Sequence, residues 1–344
     1  MTVATIGAAE YLDFVEREYL AGYVGRGGAT VKLLAVGDDA ARARLSSGFA
    51  ELGDGFEYAA VDATTTRVHL IDQVFATIAR QLDWIGLAAA VVRSALDRAA
   101  FPVPEEHAGV FDHSSASAPQ GGAADRMRID LSAIARYHEV DAAELYRSVR
   151  RAIEQIVLRD TELSHEFRVA MLRLCQERLG RGDVSATERE TIVGWLRGER
   201  LPAADLRRVG LQTKVNRYNA RPLLLSLTRW LRIAGRSGLV LHLDLDRLAV
   251  ARRPPVGLRD GHYYSKTATL DAYELVRQLI DATDETEGLF VAVRLPPVLV
   301  HDEARGLPAY TALQLRVADE VRDRRRANPY AALVRIGARA QETA

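Results

Sequence analysis

The apolar positions fall into short blocks separated by glycines. Residues 30–36 (TVKLLAV) form a strand-like run that breaks at Gly37 into DDAARARL, a composition that suits a helix over about 39–52. FEYAAVDA (56–63) reads as a second strand. Two strands joined by a helix make a βαβ unit, with parallel pairing and a right-handed crossover. Ahead of it, 8–21 spaces Tyr11, Phe14, Val15 and Tyr19 on one side of a helix that would pack outside the sheet. A further helix fits 68–82.

From residue 84 to 237 the pattern is helical, with helices over 84–100, 141–158, 161–179, 186–197 and 216–234 and stops at Gly180, Gly182, Gly198 and Gly235. Residues 101–127, rich in Pro, Gly, Ser and Ala, read as a flexible loop. Strand patterns return at 238–245, 288–295 and 332–338, alternating with helices at about 266–283 and 308–325. The fold class predicted is α/β: a mainly parallel five-stranded sheet flanked by helices, formed by 1–83 and 216–344, with a helical subdomain inserted at 84–215.

Charge changes this picture little. Lys plus Arg and Asp plus Glu number 46 each, so no global field draws the chain to nucleic acid or an anionic membrane. The cluster Arg147, Arg150 and Arg151 reads as a solvated helix face before it reads as a DNA-binding patch. The single cysteine, Cys175, excludes an internal disulfide and sits in a helical pattern as a small hydrophobe, which suits a reducing cytoplasm. No basic-then-apolar leader and no apolar run of membrane-spanning length occurs, so neither export nor a membrane partner is expected. Nucleophile-elbow, HExxH and paired Cys–His patterns are missing as well, which gives nucleophilic hydrolases and zinc enzymes little weight.

Candidate chemistry gathers at the glycine after the first strand. A phosphate-binding loop reads G-x-x-x-x-G-K-[ST], with backbone N–H groups around the phosphate, a Lys on its oxygens and a hydroxyl on Mg²⁺. Counting from Gly37 puts Arg42, Ala43 and Arg44 at the Gly, Lys and Ser/Thr places, and with only three lysines in the chain no GK[ST] exists anywhere. The turn residues Gly37, Asp38 and Asp39 with Arg42 and Arg44 are therefore the nucleotide-binding candidates. The strand beside such a loop ends in an Asp that orders Mg²⁺, followed in ATPases by a Glu that activates water. Asp244 fits the first role, and Leu245 stands in the place of the second. Period-2 geometry sets His242, Asp244 and Asp246 on one side of that strand, an arrangement that either holds a divalent ion with Asp62 as fourth group or is a core histidine beside strand-end caps. Arg294, at the end of the next strand, is a phosphate contact or a surface ion pair. Arg316, Arg322, Arg324, Arg325 and Arg326 read as a cationic helix end, with an arginine finger as the sharper alternative.

The segments RGGATVKLLAVG (26–37), GWLRGE (194–199), GLVLHLDLDRL (238–248), AYELVRQLIDATDETEGLFVAV (272–293), GLPAYTALQLRV (306–317) and NPYAALVRI (328–336) resemble the ATP-binding proteins of bacteriophage-exclusion (BREX) defence systems. The resemblance spans the chain outside 101–127. It implies a P-loop NTPase-like fold and a cytoplasmic defence component that binds ATP beside a methyltransferase, a helicase and other subunits. Ala43 and Leu245 depart from the family's Lys and Glu. That combination implies a pseudo-ATPase acting by contact with other defence proteins, such as an active ATPase paralogue, with at most weak binding of ATP and Mg²⁺. The alternatives are an ATPase with a rebuilt phosphate loop, using Arg42 or Arg44 for charge and Asp244 and Asp246 as carboxylates, and a DNA-binding module.

Overall fold

The computed structural model describes residues 4–53, 55–103, 129–318 and 327–337. These residues group into two compact units, 1–81 with 236–344 and 82–235.

The first unit is built on five strands: β1 (Ala29–Val36), β2 (Phe56–Asp62), β3 (Gly238–Asp244), β4 (Leu289–Leu295) and β5 (Leu333–Ile336). All pair in parallel, in the order β2-β3-β4-β1-β5. β1, β3 and β4 are central and apolar almost throughout, because helices cover them on both faces. In β4 only Arg294 escapes full burial. The edge strands β2 and β5 are only partly buried.

The order also assigns the helices to faces. The chain leaves β1 for the β2 edge and later returns through β3 and β4, so right-handed crossovers place α2 (Asp39–Glu51) on one face and α11 (Lys266–Asp281) on the other. On the α2 face, Leu34, Val36, Val240, Phe290, Ala292, Val334 and Ile336 pack against Leu45 and Phe49 of α2 and Tyr11, Leu12 and Phe14 of α1 (Ala8–Phe14). A Cβ at Gly48 of α2 would land on Leu12, so glycine is what lets α1 approach so closely. The expected single helix over 8–21 changes character halfway, continuing from α1 as a π-helix, Val15–Ala21. This turn carries Tyr19 over Lys32, whose Nζ lies 4.8 Å from the ring centroid and donates to the carbonyl of Tyr330 at 2.7 Å. The lysine of β1 is thus spent inside the fold.

α3 (Ile71–Arg80) completes this unit's N-terminal part. Beyond α11 lie α12 (Val298–His301) and α13 (Thr311–Val317), the latter shorter than the helix expected over 308–325 within the described residues. Arg316 pairs with Asp281 of α11, so it is engaged within its own chain. Arg322, Arg324, Arg325 and Arg326 lie outside the described residues.

The second unit is helical: α4 (Trp84–Arg98), α5 (Leu131–Tyr137), α6 (Ala142–Leu158), α7 (His165–Arg178), α8 (Ala186–Leu196), α9 (Ala203–Arg208) and α10 (Ala220–Ile233). The short helices α5 and α9 are additional to those expected, and α10 groups with this unit rather than with the sheet. α4, α6 and α7 pack on one another around a row of rings, with Phe167 6.2 Å from Trp84 and 6.3 Å from Trp230. Asp83, Asp130 and Asp141 cap their helices, and Ser185 forms a capping box with Glu188. Arg150 pairs along its own helix with Glu154 at 3.0 Å. The stretch expected to be a flexible loop falls, apart from 101–103, outside the described residues. Among the described residues no single helix is long and apolar enough to cross a membrane.

Candidate functional site

Open α/β sheets bind ligands outside the carboxyl ends of their strands. The register draws four positions into one row there: Leu34 of β1 opposite Arg294 of β4, Arg294 opposite Asp244 of β3, and Asp244 opposite Asp62 of β2. Residues of like parity face α2, so Arg294, Asp244 and His242 lie on that side of the sheet.

The arrangement corrects one expectation. β4, not β3, pairs with β1, so the strand carrying Asp244 is one place removed from the strand carrying Gly37. Two long side chains bridge the gap. Arg294 pairs with Asp244 and reaches Asp246 Oδ2 at 3.3 Å, and Arg42 of α2 reaches the same oxygen at 3.4 Å. Arg42 also pairs with Asp39 at 2.9 Å and donates from Nε to the Val36 carbonyl at 3.4 Å. Asp246 enters by a route that strand periodicity does not describe. β3 ends at Asp244, and Asp246 begins a 3₁₀ turn (Asp246–Ala249) whose first N–H donates to Asp244 Oδ1 at 2.9 Å.

At the end of β1 only Gly37 and Asp38 separate Val36 from the first helical residue, Asp39. Residues 39–44, where a phosphate loop would have run on to its Lys and Ser/Thr, are the first turns of α2, as the helix expected over about 39–52 requires. Asp38 is the N-cap: its carboxylate accepts from the N–H groups of Ala40 at 3.1 Å and Ala41 at 3.3 Å. Those donors are the ones a helix start offers to an anion. Arg44 is exposed. Leu245 is buried, its N–H donating to the Arg294 carbonyl at 2.8 Å.

Burial sets the protonation of the group. Asp244 is pushed up to about 6, chiefly by desolvation and then by the neighbouring Asp246 charge, with the Arg294 guanidinium pulling the other way. Asp246 is raised for the same leading reason, against the pull of Arg294 and Arg42. His242 is lowered to about 4 by desolvation, with Arg294 adding to the effect. Its ring packs 5.5 Å from Phe49, its Nδ1 lies 3.5 Å from the Tyr58 hydroxyl, and its Nε2 has no hydrogen-bond partner among the described residues. His242 is therefore a neutral core histidine. Asp62 is exposed and accepts from the Thr64 N–H at 2.6 Å, closing the turn after β2. Among the described residues no three His, Cys, Asp or Glu side chains are grouped to hold a metal ion. The guanidinium of Arg294 occupies the middle of the cluster instead.

Sequence reasoning missed Asp38 as a cap and the pairing of Arg294 with Asp244. The first was signalled by an Asp directly before helix-forming residues. The second depends on strand register, which no local pattern encodes.

The five-stranded parallel sheet with its flanking helices is a P-loop NTPase-like α/β fold. A model of the BREX system ATP-binding protein family BrxC/D matches residues 126–342, and the chain belongs to that family. The matched range holds β3, β4 and β5 with Asp244, Asp246 and Arg294, and leaves Gly37 and Arg42 outside it. No curated protein matches the chain, and no solved structure does.

Proposed function

We propose that this chain is a degenerate member of the BREX ATP-binding family that serves its defence system by contact with the system's other proteins and does not hydrolyse ATP. The observation that carries the reading is the Asp38 carboxylate bound across the first N–H groups of α2, after a turn of only two residues. An internal anion thereby takes the place a phosphate would need, and Asp39 adds a second negative charge beside it. The residues present do not fit a magnesium nucleotide. Asp244, the candidate metal-ordering carboxylate, is paired with Arg294, and the neighbouring position holds a buried leucine. Each lost electrostatic contact of this kind removes about 3 kcal/mol of transition-state stabilisation.

The rebuilt-loop alternative needs a cation free to meet phosphate. Arg42 is held by Asp39, Asp246 and the Val36 carbonyl, and Arg44 is exposed, two residues further along α2. The purified chain is expected to release no phosphate from ATP above the level of an Asp244→Ala variant and to give no binding heat with magnesium ATP. Turnover that disappears in that variant would overturn the proposal.

A further inference from the structure

The connection between β3 and α11 has a fixed base and an unclaimed tip. At its base, Arg247 donates to the His262 carbonyl at 2.8 Å, pairs with Asp260 Oδ1 at 2.7 Å and lies 4.0 Å over the Tyr263 ring. The His262 N–H donates to the Thr64 carbonyl at 2.8 Å, and the Tyr264 hydroxyl donates toward the carbonyls of Ala63 and Thr66. Gly261 has φ +81°, and a Cβ there would collide with the Thr64 carbonyl, so the loop closes on the turn after β2 in a way only glycine permits.

The tip is different in kind. Val256 and Leu258, the ends of a 3₁₀ turn that follows Pro254 and Pro255, are 76% and 73% exposed. Arg252, Arg253 and Arg259 flank them, all exposed, and none meets a carboxylate among the described residues. Asp260, next in sequence to Arg259, is already taken by Arg247.

Resting on the contact-based reading above, we propose that this tip is a docking prong for another protein of the defence system, one that presents an apolar cleft edged by carboxylates. Two apolar side chains on a braced turn supply the central anchor, and the three guanidinium groups supply the rim. The proline pair limits the conformational freedom that must be lost on docking. Duplex DNA fits less well. A phosphate backbone offers nothing for Val256 and Leu258 to bury against, residues 250–262 contain no Phe, Tyr or Trp to stack on bases, and the chain's formal net charge is zero.

The test binds the full chain pairwise to each of the other proteins of its defence system, purified separately, with a short DNA duplex run alongside. One of those proteins should bind, and Leu258→Asp and the double change Arg252→Glu with Arg253→Glu should each weaken it about tenfold or more. The charge-reversal loss should shrink at high salt, whereas the Leu258→Asp loss should persist. Both variants alter exposed side chains, and unchanged thermal unfolding verifies that the fold is retained. Binding that is indifferent to both variants overturns the prong and leaves the contact-based reading standing. Binding by none of the proteins overturns both, and tip-dependent binding to the duplex alone overturns the choice of partner.

Discussion

Replacing His242 with glutamine isolates one of two opposed pH effects buried on β3. His242 is neutral in the fold, its pKa lowered from 6.5 to about 4, so the unfolded chain takes up a proton there before the folded one does. The wild type therefore loses stability through this group as pH falls from about 6.5 to about 4, at about 1.4 kcal/mol per pH unit. Asp244 acts in the opposite sense. Its pKa is raised from 3.8 to about 6, so the folded state binds the proton first and gains stability as pH falls through that value. The two effects overlap and largely cancel in the wild type. Glutamine removes only the first and still packs a polar amide between Phe49 and Tyr58. Measured by urea unfolding, the stability of the variant relative to wild type should improve by about 2 kcal/mol between about pH 7 and about pH 5. A difference that stays constant over that range would mean the imidazole is solvated in the fold, one that changes in the opposite direction would mean it is charged there, and either result would refute the reasoning about this core.

Arg294→Ala leaves Asp244 and Asp246 without the cation between them and should lower unfolding stability at neutral pH by about 3 kcal/mol, with partial recovery in acid as Asp244 takes up a proton; a loss below about 1 kcal/mol would place the pair in solvent. Asp38→Ala frees the N–H groups of Ala40 and Ala41 and should cost about 1 kcal/mol in thermal unfolding. The same variant should be stabilised by phosphate over chloride buffer where the wild type is not, and an equal response of both proteins would show that the cap does not block the helix start.

The strands were legible because their burial makes them so. Residues 30–36, 238–245 and 288–295 are near-continuous apolar runs, as strands covered on both faces must be, and each contains the strand seen there or most of it. Their order was not legible, since nothing local distinguishes the run that pairs with β1 from the one that lies a strand away. The same limit hid the partner of Arg294: its chemistry shows in the sequence, whereas its register against Asp244 does not. The two-residue turn was within reach, because Asp38 before a run of helix formers is an N-cap pattern, but the spacing of a phosphate loop competed with it. α5 and α9, at seven and six residues, are too short to show a period. Arg178 was not legible at all: it is a charged helix position that lies fully buried beside Glu177, which also receives Arg189 at 3.2 Å.

The placement of β1 between β4 and β5 governs when this protein can assemble. β1 and β2 do not touch each other in the sheet, and every neighbour of either strand comes from beyond residue 236. A nascent chain that has emerged only as far as the helical unit thus carries two apolar segments with no strand to join, while that unit already owns its core. Long-range pairing of this sort is slow and leaves unpaired edges waiting. β2 accordingly waits for β3 and β1 for β4 and β5, and the ion cluster at the rim can form only once Arg294 has followed Asp244 and Asp246.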